Sequence, residues 1–139
     1  MTPQQLEELK QRVEANDPNA LYTYAECLLA TDPREAEKYI ILAAQLGNPY
    51  AEEKLGDKYN DKGDYERAAH YYKAGAKAGL YECSVKLAII NLQTHEHIAI
   101  RELEELAKLG IKSACKALAE YHKSHGNRRE ATYWRSLLK

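Results

Sequence analysis

The sequence predicts an all-α protein built from repeated antiparallel helical hairpins, and three observations carry that prediction. All four prolines follow a helix-capping residue, in Thr2-Pro3, Asp17-Pro18, Asp32-Pro33 and Asn48-Pro49. Glycines then mark helix ends at Gly47, Gly63, Gly79, Gly110 and Gly126. Finally, small residues recur at steps of 31, 32 and 31 along the whole chain, in Ala25, Gly56, Ala88 and Ala119.

Each mark has a physical meaning. Proline is tolerated at the first helical position, where its missing N–H has no partner to lose. The Thr, Asp or Asn before it supplies the cap oxygen. Thr2 with Gln5, and Asp32 with Glu35, also have capping-box spacing. These four starts lie 15, 15 and 16 residues apart. A glycine just past a helix supplies the left-handed residue that closes its last carbonyls. Near residue 95 the glycine beat is missing, and Gln93-Thr94-His95-Glu96-His97 serves as a polar break instead. Between marks the apolar residues follow a 3.6-residue period, as in Leu80, Val85, Leu87, Ala88, Ile89 and Leu92. The marks define nine helices in order: 3–15, 19–30, 33–46, 49–61, 64–78, 81–92, 96–109, 112–124 and 127–138. Helices of this length on short links lie as antiparallel neighbours.

The self-alignment distinguishes a repeat array from a closed bundle. Tyr24, Leu55, Leu87 and Leu118 precede the small positions, and Ala20, Ala51, Cys83 and Ala114 lie five before them. In the second helix of each unit Ala36, Ala68, Ala99 and Ala131 align, followed three on by Tyr39, Tyr71, Glu102 and Trp134. Small residues on facing helices let two backbones approach, which would offset the cost of about 1 kcal/mol for a mid-helix glycine such as Gly56 or Gly75.

The unit Ala51-Glu-Glu-Lys-Leu55-Gly56-Asp-Lys-Tyr59, followed by Arg67-Ala68-Ala-His-Tyr71-Tyr72-Lys-Ala-Gly75-Ala76-Lys-Ala-Gly79, resembles the Sel1-like repeat, a relative of the tetratricopeptide repeat. Residues 49–80 resemble it most, 19–48 and 112–139 less, and 81–111 least. Residues 1–18 look like the second half of a hairpin. The turn Asn60-Asp61-Lys62-Gly63-Asp64 departs from the family, being as tight as a tetratricopeptide turn. The resemblance implies a right-handed αα-superhelix of about four hairpins plus an N-terminal half-repeat. The expectation is a single repeat domain over 1–139, with repeats at 19–48, 49–80, 81–111 and 112–139.

Composition narrows the function classes. With 45% hydrophobic and 29% charged residues the chain is globular. Eleven tyrosines, one tryptophan and no phenylalanine put nearly all aromatic surface on rings that need a polar partner. Residues 1–70 carry 8 Lys+Arg against 14 Asp+Glu, and residues 71–139 carry 12 against 7, so the chain is charge-polarised. No 18-residue apolar stretch and no basic-then-apolar start appear, so a cytoplasmic protein, bacterial in character by its resemblance, is expected. Cys27, Cys83 and Cys115 have no pairing or CxxC spacing and are read as small core residues.

No catalytic constellation emerges, and no cofactor or metal is expected. His95-Glu96-His97 is too close-set for a zinc helix, His122 and His125 lack a third ligand in sequence, and Cys115 with His122 lacks an orienting group. The glycines sit at helix ends and not in a phosphate loop. Lys112, Lys116, Lys123, Arg128, Arg129, Arg135 and Lys139 make the last hairpin basic, which suits a polar end of the array better than a nucleic-acid groove.

By the resemblance, the first helix of each hairpin lines a concave face. On that register the candidate partner-binding residues are Tyr22, Glu26, Tyr50, Glu53, Asp57, Val85, Ile89, Leu92, Lys116 and Glu120. Val85, Ile89 and Leu92 would form an apolar centre rimmed by tyrosines and carboxylates, a composition that suits protein recognition. The expected function is a non-catalytic module binding a partner protein that offers basic and apolar side chains. A bacterial immunity or inhibitor protein is the alternative, and an RNA-binding repeat array ranks below it. A homodimer through Trp134, Leu137 and Leu138 of the C-terminal helix is a further expectation.

Overall fold

The computed structural model describes Met1–Lys139 and contains nine helices and no strand. They are α1 (Pro3–Glu14), α2 (Pro18–Leu28), α3 (Pro33–Gln45), α4 (Pro49–Asp61), α5 (Tyr65–Lys77), α6 (Tyr81–Asn91), α7 (Glu96–Lys108), α8 (Lys112–Ser124) and α9 (Arg128–Ser136). Every predicted helix is present, with each boundary within two residues of its predicted place.

The caps explain this agreement. Thr2 accepts from the Gln5 N–H while the Gln5 side chain accepts from the Thr2 N–H, a complete capping box. Asp17, Asp32, Asn48 and Asp64 each accept from backbone N–H groups of the first turn that follows. At the other ends, α1, α3, α4, α5, α7 and α8 close with the paired backbone bonds of a Schellman motif. At α4, for example, Gly63 N–H donates to Asn60 O and Asp64 N–H to Tyr59 O. The C′ residue has positive φ in all six, glycine in five and Asn16 at φ 60° after α1.

The two remaining hairpin turns differ in a way that accounts for the uneven repeat length. After α2, Asp32 N–H donates to Leu28 O at 2.7 Å, and after α6, His95 N–H donates to Asn91 O at the same distance. This closing bond spans four residues, against five for Asp64 N–H to Tyr59 O in the glycine turn. The small residue of the first helix and that of the second are accordingly 11 apart in Ala25–Ala36 and Ala88–Ala99, but 12 apart in Gly56–Ala68 and Ala119–Ala131. The turns within successive hairpins therefore alternate between short and long closure, and the missing glycine near residue 95 is the short turn of the third repeat.

The chain forms two compact units, Met1–Leu80 and Tyr81–Lys139, and the boundary falls between the predicted second and third repeats. In the first, Leu21, Ala25, Ile40, Ala43, Ala44, Ala51 and Leu55 form a core against which Val13, Tyr22, Tyr39, Leu42 and Tyr71 pack. Buried Asn48 donates from Nδ2 to Asn19 Oδ1 at 2.9 Å, tying the start of α4 to that of α2. Lys58 pairs with Glu37, tying α4 to α3. In the second unit the core comprises Val85, Ala88, Leu103, Ala107, Ala114, Cys115, Ala117, Leu118, Ala119 and Trp134.

All the predicted seam residues Ala20, Ala25, Ala36, Ala51, Gly56, Ala68, Cys83, Ala88, Ala99, Ala114, Ala119 and Ala131 are buried. Gly56 shows why one is glycine: a Cβ there would lie 2.5 Å from Cε1 and 2.6 Å from Cδ1 of Tyr72. The Tyr72 ring, 1% exposed, crosses the seam and places its hydroxyl on Asp57 at 2.5 Å.

Two sequence expectations about burial are corrected. Cys27 is exposed, because it lies about 200° around α2 from buried Ala25, away from the core. Trp134, expected to take part in a homodimer contact of the C-terminal helix, is 6% exposed and belongs to the core of the second unit. Of the proposed dimer contact, Leu137 is exposed and Leu138 is half-buried against that same core.

Candidate functional site

In the first unit, five of the ten candidate residues fall on α2 and α4. Tyr50, Glu53, Lys54 and Asp57 recur at helical spacing along α4, and Tyr22 and Glu26 are one turn apart on α2. The rings of Tyr22 and Tyr50 stack with centroids 6.0 Å apart at 29°. Lys54 Nζ stands 5.8 Å from the Tyr22 centroid, within cation–π range. The Tyr22 hydroxyl donates to the Glu26 carboxylate. Its pKa is raised well above the ordinary tyrosine value, first by burial, then by that bond and by the charges of Glu26 and Glu53. Tyr50 is half exposed, so the aromatic pair presents one covered and one open ring.

Asp57 does more than rim this face. It accepts the Tyr72 hydroxyl, so its carboxylate is held by the second helix of its own hairpin. Lys54 and Tyr72 were not singled out in the sequence. Lys54 was legible as the residue one turn past Tyr50, whereas the reach of Tyr72 across Gly56 required the structure.

In the second unit the apolar centre is smaller than expected. Val85 is 2% exposed and sits in the core, so it is no part of an open face. The reason is the environment of α6, a helix apolar around most of its circumference that packs on both α7 and α8. Ile89 is exposed, Leu92 is half-buried, and Lys116 and Glu120 are exposed. Ile89 and Leu92 of α6, with Ala117, Glu120, Tyr121 and Ser124 of α8, line a depression of about 250 Å³. Tyr121 was not anticipated there. Its hydroxyl donates to Glu96, which raises its pKa, and its ring stacks on His125 at 4.0 Å. Ser113 donates to Glu82 at 2.9 Å, linking α8 to α6. His122 and His125 are engaged locally, by Asn127 Nδ2 and by the Tyr121 carbonyl respectively.

One further polar group stands apart. Glu52 of α4 is 8% exposed, and its Oε2 is buried without a hydrogen-bond partner. Burial raises its pKa, and the charge of His70 acts in the opposite direction.

These features define an αα-hairpin repeat protein with open first-helix faces. The crystal structure of a Sel1 repeat protein from Oxalobacter formigenes superposes on it with a TM-score of 0.74 at 23% identity, covering 84% of this chain and 98% of that one. The crystal structure of a protective antigen present in uropathogenic Escherichia coli strains, displaying an SLR fold, superposes with a TM-score of 0.77 at 21% identity. That match covers 96% of this chain and 32% of the antigen, so this chain spans about a third of its length. No family model and no curated protein matches the sequence. The chain has the Sel1-like repeat fold, the architecture its sequence predicts.

Proposed function

We propose that this protein is a non-catalytic interaction module that docks a partner protein on the first-helix faces of its hairpins. The observation that carries the reading is the Tyr22–Tyr50 stack, half open to solvent and flanked by Glu26 and Glu53. Rings of this kind offer large, rigid contact area, and the adjacent carboxylates select a partner with basic side chains beside an apolar anchor. Lys54 over Tyr22 supports the same preference, since it shows that this ring face accepts a cation. The depression lined by Ile89, Leu92 and Tyr121 supplies an apolar contact in the second unit. Whether the bound partner is recruited or inhibited depends on which of its surfaces is covered.

The test is quantitative affinity capture from the source cell with wild type and with Tyr50→Ala/Glu53→Lys. Tyr50 is half exposed and away from the seam, so the variant should fold, which circular dichroism checks. A stoichiometric protein captured by wild type and lost by the variant is expected. Equal capture by both would remove the α2–α4 face from the function, and no capture by either would remove the reading itself.

A further inference from the structure

The last hairpin holds a second feature, unrelated to the aromatic face. Lys123, Gly126, Arg128, Ala131, Thr132 and Arg135 line a cleft of about 700 Å³ between α8 and α9. Three of these six residues are cationic, one is a hydroxyl and none is acidic. The ion pairs of the chain join Arg12 to Asp17, Lys38 to Glu35, Lys58 to Glu37 and Arg67 to Asp64, so Lys123, Arg128 and Arg135 enter none of them. All three are exposed.

Such a cluster costs stability in the free protein. Like charges around one cleft repel, and Arg128 and Arg129 occupy the first turn of α9, where the helix dipole disfavours cations. An anion placed in the cleft would offset both effects.

The geometry specifies the kind of anion. Arg128 and Arg135 are seven residues apart on α9, about 10 Å along its axis, with Thr132 between them. Charges spread over that length match several carboxylates in a row better than one compact phosphate. No aromatic side chain lines the cleft, so it lacks the stacking platform that single-stranded nucleic acid uses. We infer that the α8–α9 cleft binds an acidic segment of a protein, with Arg128 and Arg135 as carboxylate forks, Lys123 as a third charge and Thr132 as a hydroxyl donor. This inference stands independently of the α2–α4 face and makes the module two-signed, with an acidic aromatic face and a basic cleft.

The test is isothermal titration of the full chain with a ten-residue polyglutamate peptide at low salt. Arg128→Ser/Arg135→Ser should weaken binding by roughly tenfold or more, as expected for losing two charge-assisted contacts. Arg101→Ser/Lys108→Ser removes the same charge from exposed positions on α7 and should leave affinity within about twofold, since only diffuse attraction is lost. Equal weakening in both variants, or no binding by wild type, would overturn the site. Tighter binding of a ten-residue oligouridylate than of polyglutamate would assign the cleft to nucleic acid instead. Full displacement of the peptide by millimolar inorganic phosphate would reduce the site to a compact-anion site. Tyr50→Ala/Glu53→Lys should bind polyglutamate like wild type, so this result is separable from failure of the aromatic face.

Discussion

Replacing Gly56 by alanine tests the packing logic of the fold directly, because two opposite effects meet at one atom. In a helix interior alanine is favoured over glycine by about 1 kcal/mol, so propensity alone predicts stabilisation. Here the new Cβ would lie 2.5 and 2.6 Å from two ring carbons of Tyr72, whereas carbon atoms in good contact stand about 3.5–4.0 Å apart. The ring must move by about 1 Å. It is 1% exposed and anchored through its hydroxyl to Asp57, so movement strains the core or breaks that bond. Overpacking of this kind costs about 1–3 kcal/mol, and a hydrogen bond to a charged group about 1.5–3 kcal/mol. Gly56→Ala should therefore destabilise the protein by about 1–2 kcal/mol despite its helix propensity. The third repeat shows the alternative solution, with Ala88 and Leu103 in the corresponding places within one core. In a Tyr72→Leu background, Gly56→Ala should reverse sign and stabilise by about 0.5–1 kcal/mol. Urea unfolding followed by circular dichroism measures the four corners of the cycle, with slope and probe coincidence checking that each transition is single. If Gly56→Ala stabilised both backgrounds equally, the coupling between Gly56 and Tyr72 would be refuted.

Two other sites give sharp expectations. Glu52 occupies the position that Leu21 fills in the first repeat, and its folded pKa is raised above the ordinary 4.5 by burial. The protonated form is thus favoured in the folded state, so wild-type stability should fall as pH rises from near 4.5 through the raised value. Glu52→Leu should gain about 1–2 kcal/mol at pH 8 and less at pH 4.5, and a gain independent of pH would sink the assignment to a buried carboxylate. Asn48 caps α4 through the Ala51 N–H and donates to Asn19, so Asn48→Ala should cost about 1–2 kcal/mol in thermal unfolding. Asn48→Asp keeps the cap and loses the donor, and should fall between the two; an aspartate as costly as alanine would show that the cap contributes nothing.

The helices were legible because their boundaries carry local chemistry. A cap residue, a proline or a left-handed glycine fixes a boundary without reference to the rest of the molecule, and seven of the nine helices have such a mark at one end or both. The exceptions are α6, which ends in the short turn where the sequence offers only polarity, and α9, whose Asn127 makes no cap bond. Burial was legible at the recurring small positions of the seam, since only small residues fit between paired backbones, whereas Cys27, small but off that repeat, is exposed. It was less so for large ones. Val85 and Ile89 are one turn apart on the same stripe, yet the core of the second unit covers the first and leaves the second open. Periodicity gives the relative register of residues on a helix but not how many neighbours flank it. Trp134 is the same case on α9, where its ring turns into the core of the last hairpin. The stacked tyrosines of the first unit could be placed on one face from spacing alone, whereas the roles of Asp57 and Tyr121 depend on partners in other helices.

Those partners bear on why the chain uses tyrosine and no phenylalanine. Three tyrosine hydroxyls donate to carboxylates, Tyr22 to Glu26, Tyr72 to Asp57 and Tyr121 to Glu96. Tyr22 and its carboxylate lie on an open first-helix face, the Tyr72 bond holds a carboxylate at the edge of that face, and Tyr121 lines the depression of the second unit. Phenylalanine would fill the same volume but lack the hydroxyl that each of these acids accepts. A long acidic side chain ordered only on docking costs about 0.5–1.5 kcal/mol, and an acid already held by a phenol does not. Recognition by a small surface needs that saving more than a large one does. Under the proposed docking, these three hydroxyls act on affinity as well as on folding, because each holds a carboxylate beside aromatic contact area.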